Sequence, residues 1–201
     1  MKPRVAVLCS GRGSNMQALV RAARAAADYP AEIVLVLSDK ADAPALGIAR
    51  EMGLRAEAVP AKPFGKDRAA HERALDARLI EERIDIVCLA GYMRLLTPYL
   101  VGRWAGRMLN IHPSLLPKFP GLDTHARALA ASEARHGCTV HLVTEGMDEG
   151  PILGQAEVPV LPGDTEETLS ARVLEQEHRL YPAMLAQLAQ KISLPGPPSP
   201  S

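Results

Sequence analysis

The sequence predicts an α/β protein built on a doubly wound, mostly parallel sheet. Three observations support this class. Short apolar runs recur through the first half of the chain, amphipathic segments separate them, and a glycine-rich turn follows the first run. Unbroken apolar runs are typical of strands buried on both faces of a sheet. Their alternation with helices predicts parallel strands joined by helical crossovers.

The elements of the first half follow one another with short connections. Pro44 is well placed to open a helix, because a proline at the first helical position costs no hydrogen bond. Apolar residues at helical spacing around Leu75 and Leu79 indicate a later helix. The predicted order is strand 4–9, helix 14–27, strand 32–38, helix 44–53, strand 55–59, helix 67–83, strand 85–90 and strand 107–111.

The second half predicts a different connection. Strands 139–144 and 155–160 are separated by a turn-rich segment too short for a helical crossover, so we expect an antiparallel pair. Asp164 is expected to cap a long final helix, with Glu167 as its capping-box partner. Residues 193–201 are rich in proline, glycine and serine and predict a disordered tail. The expected architecture is one Rossmann-like domain over residues 1–192, with an antiparallel C-terminal strand pair.

Composition argues against several classes of partner. Lysine plus arginine equals aspartate plus glutamate at 23 each, and only 3% of the residues are aromatic. We therefore expect no nucleic-acid and no membrane partner. Three cysteines without a Cys-x-x-Cys pair predict buried free thiols, and nothing resembles a signal peptide. A cytoplasmic location is expected, and the chain is predicted to be a monomer or a homodimer.

The turn at residues 11–15 predicts a phosphate site. Its sequence is Gly-Arg-Gly-Ser-Asn, and it joins the first strand to the first helix. Glycines allow close approach of a ligand, and a helix N-terminus offers free amide donors to an anion. Met16 stands where a dinucleotide fingerprint needs glycine, so a single phosphate monoester fits better. The alternative is an ordinary tight turn with a polar cap.

A second pattern places Asn110 and His112 two residues apart at a strand end. Side chains at this spacing project from the same face. An amide donor beside an imidazole suits acyl chemistry that passes through an oxyanion. Asp148 could favour the protonated ring if it came close, although spacing alone does not bring it there. A strand end with a packed histidine explains the pattern equally well.

Other patterns give weaker indications. His136 and His141 are poorly spaced for a metal, so no metal site is expected. Segment 93–96 either lines a slot for a flat heterocycle or packs its leucines into the core. A Gly-x-Ser-x-Gly nucleophile turn is absent from the sequence. Direct transfer between two bound substrates is the acyl chemistry that remains for a His–Asn pair.

Taken together, segments 11–15, 110–117, 119–121 and 148–151 resemble the phosphoribosylglycinamide formyltransferase family, folate-dependent enzymes of purine synthesis. The His-Pro-Ser-Leu-Leu-Pro stretch is shared with other enzymes that use 10-formyltetrahydrofolate, including methionyl-tRNA formyltransferase. The Gly-Ser-Asn turn and the single-domain length favour the glycinamide ribonucleotide member. The likeness runs from about residue 4 to residue 190.

The resemblance implies formyl transfer from 10-formyltetrahydrofolate, as co-substrate, to the amine of 5-phosphoribosylglycinamide through a tetrahedral oxyanion. It implies that His112 is the general acid and that Asn110 steadies the oxyanion. Asp148 would pair with the histidine and hold a water.

The resemblance also implies binding residues. Arg12 stands where many members carry asparagine. The implied phosphate ligands are Gly13, Ser14 and Asn15, and the implied contacts with the rest of the substrate are Glu177, Met93 and Pro113. The implied folate contacts are Arg68, Leu89, Met93, Arg94, Leu95, Leu96, Val101, Thr144, Glu145, Gly146 and Met147.

Two alternatives remain open. A formyltetrahydrofolate hydrolase would use water in place of the amine. That group usually carries an additional N-terminal regulatory domain, whereas this sequence opens on the first strand. A nucleotide-binding α/β module without enzymatic activity would make the Asp148 turn incidental. Methionyl-tRNA formyltransferase is disfavoured, because it would need an RNA-binding domain and a basic surface.

Overall fold

The computed structural model describes residues 1–193, in which seven strands form one sheet. The strands are β1 Arg4–Cys9, β2 Glu32–Ser38, β3 Arg55–Ala58, β4 Ile86–Leu89, β5 Met108–His112, β6 Arg135–Leu142 and β7 Ile152–Pro159. The helices are α1 Ser14–Ala25, α2 Pro44–Glu51, α3 Arg68–Glu81, α4 Pro98–Arg103, α5 Thr124–Ala130 and α6 Glu166–Ser193, with a 3-10 turn at Lys62–Phe64.

The sheet confirms the predicted fold class. Its strand order is β3-β2-β1-β4-β5-β6-β7, in which β1 to β5 are parallel and β6 pairs antiparallel with both of its neighbours, β5 and β7. The chain moves outward from β1 to β3 and then crosses back to place β4 on the other side of β1. Ligands of such sheets bind beyond the carboxyl ends of the strands at this switch point.

Both faces of the sheet are covered, as the unbroken apolar runs require. Val5, Val7 and Cys9 belong to one core cluster, which α1, α2 and α6 complete. Ala6 and Leu8 point to the opposite face and join the cluster beneath α3 and α4. Alternate residues of one strand therefore stabilise two cores. The three cysteines are buried free thiols, as predicted, and burial raises the pKa of Cys88 to about 12.

Several boundaries differ from the predictions. β6 begins at Arg135 and β7 at Ile152, both earlier than the predicted 139 and 155. The added residues of β6 pair along β7, with Gly137 opposite Glu157, although Arg, His and Gly carry little strand signal of their own. The short helices α4 and α5 were not predicted. Their stabilisation comes from packing, because helices this short are marginal alone.

The cap of α6 also differs from the prediction. Thr165 precedes the first helical residue, and its Oγ1 accepts from the amide of Thr168, whose own Oγ1 accepts from the amide of Thr165. This reciprocal pair is the capping box. The carboxylate of Asp164 instead accepts two hydrogen bonds from Arg172, at 2.7 and 2.9 Å. Asp164 therefore lies one residue before the cap, and Glu167 is not its partner.

The C-terminal end of the described chain is helical. Ser193 is the last residue of α6, and the rest of the predicted tail, residues 194–201, lies outside the described residues. None of the helices within residues 1–193 combines the length and apolar character needed to cross a membrane.

A pair of histidines joins α5 to β6. Nε2 of the buried His136 lies 3.1 Å from Nδ1 of His125, and the rings meet edge to face. Burial, followed by the neighbouring His125, lowers the pKa of His136 to about 4. A protonated His136 would be a buried positive charge without solvation by water, and it would lie beside a second imidazole that does not stabilise it.

We expect the free energy of unfolding to fall as the pH is lowered from about 6.5 to about 4. In this window the unfolded chain, whose histidines titrate near 6.5, binds more protons than the folded one. Replacement of His136 by glutamine removes this titration and should make the dependence less steep, as measured by urea unfolding across the window, while His125 and His178, whose pKa values are also lowered by burial, continue to contribute. An equally steep dependence in the variant would contradict the assignment.

Candidate active site

The candidate site lies at the carboxyl ends of β1, β4 and β5, next to the loop between β6 and β7. Asn110 and His112 are on β5, and the antiparallel register places His141 of β6 directly opposite Asn110. Asp148 is in the β6–β7 loop, where its φ of +55° is tolerated by a short polar side chain. The fold thus brings four polar side chains from three segments to one place.

Asp148 reaches both histidines. Its Oδ2 lies 3.4 Å from Nδ1 of His112, and its Oδ1 lies 3.7 Å from Nε2 of His141. The amide of Gly121 also donates to Oδ2 at 2.9 Å. Burial alone would raise the pKa of Asp148, but the neighbouring His141, the hydrogen bond from the amide of Gly121 and the nearby His112 outweigh it, so the pKa is lowered. A charged carboxylate is therefore favoured here.

The ring of His112 has an acceptor at each nitrogen. Nδ1 faces Asp148, and Nε2 lies 2.9 Å from the carbonyl oxygen of Phe119. The histidine is almost completely buried, at 6% exposure. An imidazolium satisfies both acceptors, because each of its nitrogens carries a hydrogen. This arrangement suits a group that donates a proton to a reacting oxygen or nitrogen.

His141 orients the amide of Asn110. Nδ1 of His141 lies 2.9 Å from the carbonyl oxygen of Leu142, which requires a hydrogen on that nitrogen. In the neutral ring Nε2 is then an acceptor, and Nδ2 of Asn110 donates to it at 3.2 Å. The contact uses one of the two N–H groups of the amide. The other is available to a developing oxyanion.

The turn at residues 11–15 opens α1, and its Asn15 reaches a distant helix. Nδ2 of Asn15 donates to Oε2 of Glu177 at 2.6 Å, while Oδ1 of Asn15 is buried without a hydrogen-bond partner within residues 1–193. Burial raises the pKa of Glu177, and the bond from Asn15 opposes that rise. Two residues that the resemblance assigns to different parts of one substrate are thus in contact. Ser14 is half-buried beside them.

Gly13 has a conformation and surroundings that only glycine fits well. Its φ is +79°, and a Cβ at this position would lie 2.7 Å from Cβ of Ala45. We expect Gly13→Ala to lower the free energy of unfolding by at least about 1–2 kcal/mol, the cost of a left-handed side-chain residue. We also expect it to raise KM for a phosphorylated substrate, since the turn must shift. Urea unfolding and steady-state kinetics measure the two effects.

Gly163 provides a matched control for this substitution. Its φ is +82°, but a Cβ there would meet no atom within 4 Å. Gly163→Ala should therefore share the backbone cost and leave KM unchanged. Equal KM values for the two variants would argue against a phosphate site at the turn.

The residues implied for folate binding lie on the loop after β4, on the loop between β6 and β7, and on β4, α3 and α4. Met93, Leu95 and Met147 expose 63%, 56% and 48% of their surface, which is high for apolar side chains. Arg94, Leu96 and Gly146 are half-buried, Thr144 and Glu145 are exposed, and Leu89 and Val101 are buried at 6% exposure each. Nη1 of Arg68 lies 3.4 Å from the carbonyl oxygen of Leu95.

Met147 and Asp148 also line a cavity of about 310 Å³, together with Leu116, Pro117 and Ile152. Pro113 is half-buried and follows His112 directly, at the start of the loop that leaves β5. Across the part of the chain that the structure describes, no group of three or more His, Cys, Asp or Glu side chains is arranged to hold a metal ion.

Sequence reasoning missed several contacts of this site. His141 was considered only as a weak metal ligand, and the Phe119 carbonyl was not considered. The strand pairing would have placed His141 opposite Asn110, had the register been known.

Ser10 and Asp39 were also missed. Oγ of Ser10 donates to Oδ1 of Asp39 at 2.6 Å and accepts from the amide of Met93 at 3.0 Å, which ties three strand ends together.

Comparisons with known proteins identify the family of this chain. The model of the formyl transferase family matches residues 3–185. The chain is 44% identical over 185 residues to the phosphoribosylglycinamide formyltransferase of Escherichia coli K12, covering 92% of this chain and 86% of that protein. A crystal structure of phosphoribosylglycinamide formyltransferase from Brucella melitensis superposes with a TM-score of 0.90 at 57% identity, covering 94% of this chain and 96% of that one.

Larger proteins also contain a similar segment. The trifunctional purine biosynthetic protein adenosine-3 of Drosophila pseudoobscura pseudoobscura is 49% identical to this chain over 189 residues, which are 94% of the chain. The chain spans only 14% of the length of that relative.

Proposed function

The chain belongs to the formyl transferase family, and from this premise we propose that it is a phosphoribosylglycinamide formyltransferase of de novo purine synthesis. It transfers the formyl group of 10-formyltetrahydrofolate to the amine of 5-phosphoribosylglycinamide. The observation that carries the proposal is the approach of Asp148 to His112, 3.4 Å apart, beside Asn110 on the same strand. Relatives named for this activity match most of the chain and most of their own length.

The reaction is a direct attack of the amine on the formyl carbon. The new C–N bond forms as the carbonyl electron pair moves to oxygen, which gives a tetrahedral oxyanion. Asn110 donates its free N–H to this oxygen, and His112 donates from Nδ1, whose hydrogen turns from Asp148, 3.4 Å away, to the oxyanion. Collapse breaks the bond to the folate nitrogen, which takes up a proton, while the attacking amine loses one. The transfer is therefore proton-neutral overall, and Asp148 supplies the negative charge beside the imidazole.

The layout of the sheet agrees with two substrates that meet at Asn110. The phosphate turn follows β1, and β4 separates β1 from β5. Strands are about 4.8 Å apart, so about 10 Å separates the ends of β1 and β5. A phosphoribosyl group with a short amide arm spans a distance of this order. The folate would enter from the side of the loops that carry Met93 and Met147.

A formyl-transfer assay with both substrates tests the proposal. Release of tetrahydrofolate that requires 5-phosphoribosylglycinamide is the expected result. Release at the same rate without the ribonucleotide would instead indicate a hydrolase, and no release would indicate a binding module. Formylated product measured by mass spectrometry should match the tetrahydrofolate released.

A further inference from the structure

The loop that follows β5 returns to the ring of His112. Its return point is the Phe119 carbonyl, 2.9 Å from Nε2 of His112, at a residue with a φ of +54°. Oγ of Ser114 lies 2.6 Å from the carbonyl oxygen of Lys118 and 3.2 Å from that of Phe119. Ser114 is completely buried. Its single hydroxyl hydrogen is therefore shared between two successive carbonyls, with the shorter bond to Lys118 and the longer one to Phe119, whose carbonyl contacts the ring.

The first half of this loop is anchored from the strands behind it. Oγ1 of Thr139, opposite His112 in the sheet, donates to the carbonyl of Ser114 at 2.6 Å and accepts from the amide of Leu116 at 3.0 Å. Nε2 of Gln155 donates to the carbonyl of Leu116 at 2.8 Å. These bonds fix residues 114–116. Among the described residues, the side-chain group that donates a hydrogen bond to the next contact point of the loop, the Phe119 carbonyl, is the hydroxyl of Ser114.

The Phe119 carbonyl has a consequence for the proton on the ring. A carbonyl oxygen can only accept, so Nε2 must carry a hydrogen to bond it. The nitrogen that gains and loses a proton is then Nδ1, on the side of Asp148. The other titratable groups near this ring are His125, His136 and His141. The first two lie on α5 and β6, and His141 is held between Asn110 and the carbonyl of Leu142.

We propose that Ser114 is a positioning residue for the formyl transfer, because its hydroxyl holds the Phe119 carbonyl on Nε2 of His112 and so keeps the exchangeable proton on Nδ1. The predicted change in kcat rests on the proposed function, whereas the predicted change in the tautomer of His112 does not. The tautomer of a neutral imidazole is set by the hydrogen bonds of its two nitrogens, and the contact of Nε2 with the Phe119 carbonyl, at 2.9 Å, is closer than that of Nδ1 with Asp148, at 3.4 Å. Without the Phe119 contact, the neutral ring would also adopt the tautomer with its hydrogen on Nδ1, and Nδ1 could not take up the proton that it donates in the proposed mechanism.

The first test is ¹⁵N NMR of the imidazole of His112, assigned by its absence from the His112→Asn variant. In the wild-type protein Nε2 should stay protonated across the titration and Nδ1 alone should respond. Ser114→Ala should give a mixture of both tautomers at high pH. Ser38→Ala is the matched control, since it also removes a buried serine hydroxyl bonded to the main chain, at the end of β2. An unchanged His112 spectrum in Ser114→Ala would overturn the proposal.

The second test is kinetic. Ser114→Ala should lower kcat by about 10- to 100-fold, the scale expected for misplacement of a catalytic group, and change KM by less than about threefold. The pH profile of kcat should shift in Ser114→Ala and not in Ser38→Ala. Ser114→Cys keeps a weak donor and should fall between serine and alanine, and it carries the test if the alanine variant does not fold. A lower kcat with wild-type tautomers would show a merely structural role.

The two proposals can fail separately. NMR of His112 needs no turnover, so the tautomer result stands or falls on its own. If the wild-type protein formed no formylated product, the proposed function would fail even with Nε2 protonated as expected. If the wild-type protein were active and the His112 ring behaved identically in Ser114→Ala, only the role of Ser114 would fail.

Discussion

Replacement of Asn110 by alanine is expected to lower kcat for formyl transfer by about 100- to 1,000-fold, the usual cost of one preorganised oxyanion donor. The amide is held by His141 with one N–H still free, so in the proposed mechanism its donor is oriented before charge develops on the formyl oxygen. KM for either substrate should change by less than about threefold, since the interaction forms mainly in the transition state. Steady-state kinetics with both substrates varied measures the two effects.

A control separates this effect from the loss of any amide side chain. Gln187 is exposed on α6, and Gln187→Ala should keep the wild-type kcat. Turnover near that of the wild-type protein in Asn110→Ala would remove this residue from the mechanism. A rise in KM that accounted for the whole loss would assign Asn110 to substrate binding instead.

Replacement of Asp148 by asparagine is the second large effect that we expect. The change keeps the size of the side chain and removes the charge beside His112 and His141. In serine proteases, Asp→Asn beside the catalytic histidine costs about 10⁴-fold in kcat. We expect a loss of at least about 100-fold here, because the neutral amide can no longer favour the imidazolium. The basic limb of the pH profile of kcat should also move to lower pH, as measured between pH 5 and 9.

Glu149 provides the matched control in the same loop. It is exposed, and Glu149→Gln removes one negative charge without touching either histidine. That variant should keep both the rate and the pH profile. If the two substitutions had equal effects, the loop would act through its overall charge, and the contact between Asp148 and His112 would carry no special role.

Much of the fold was predictable because the relevant signal is local. A strand buried on both faces needs a continuous apolar run, so residues 4–9 and 32–38 were placed correctly as β1 and β2. The antiparallel pair was predicted from the shortness of its connection. The early start of β6 was missed, because Arg135, His136 and Gly137 join the sheet through pairing with β7 and not through propensity.

The candidate site divides in the same way. Asn110 and His112 could be grouped from a spacing of two, because a strand turns alternate side chains to one face. The Gly-Ser-Asn turn could be placed at a helix N-terminus for a similar local reason. Three contacts of the site could not be predicted in this way, because each depends on how distant segments pack. They join Asp148 to His112, His141 to Asn110 and Asn15 to Glu177.

By itself, the sequence determined the α/β class, the order of the strands along the chain and the polar groups that stand at their carboxyl ends. Each of these depends on neighbours within a few residues. Only the tertiary structure decided which of those groups touch and which nitrogen of His112 faces Asp148. The physical reason is that strand register and loop closure are set by packing across the whole sheet, and a shift of one residue would turn every side chain of a strand to the other face.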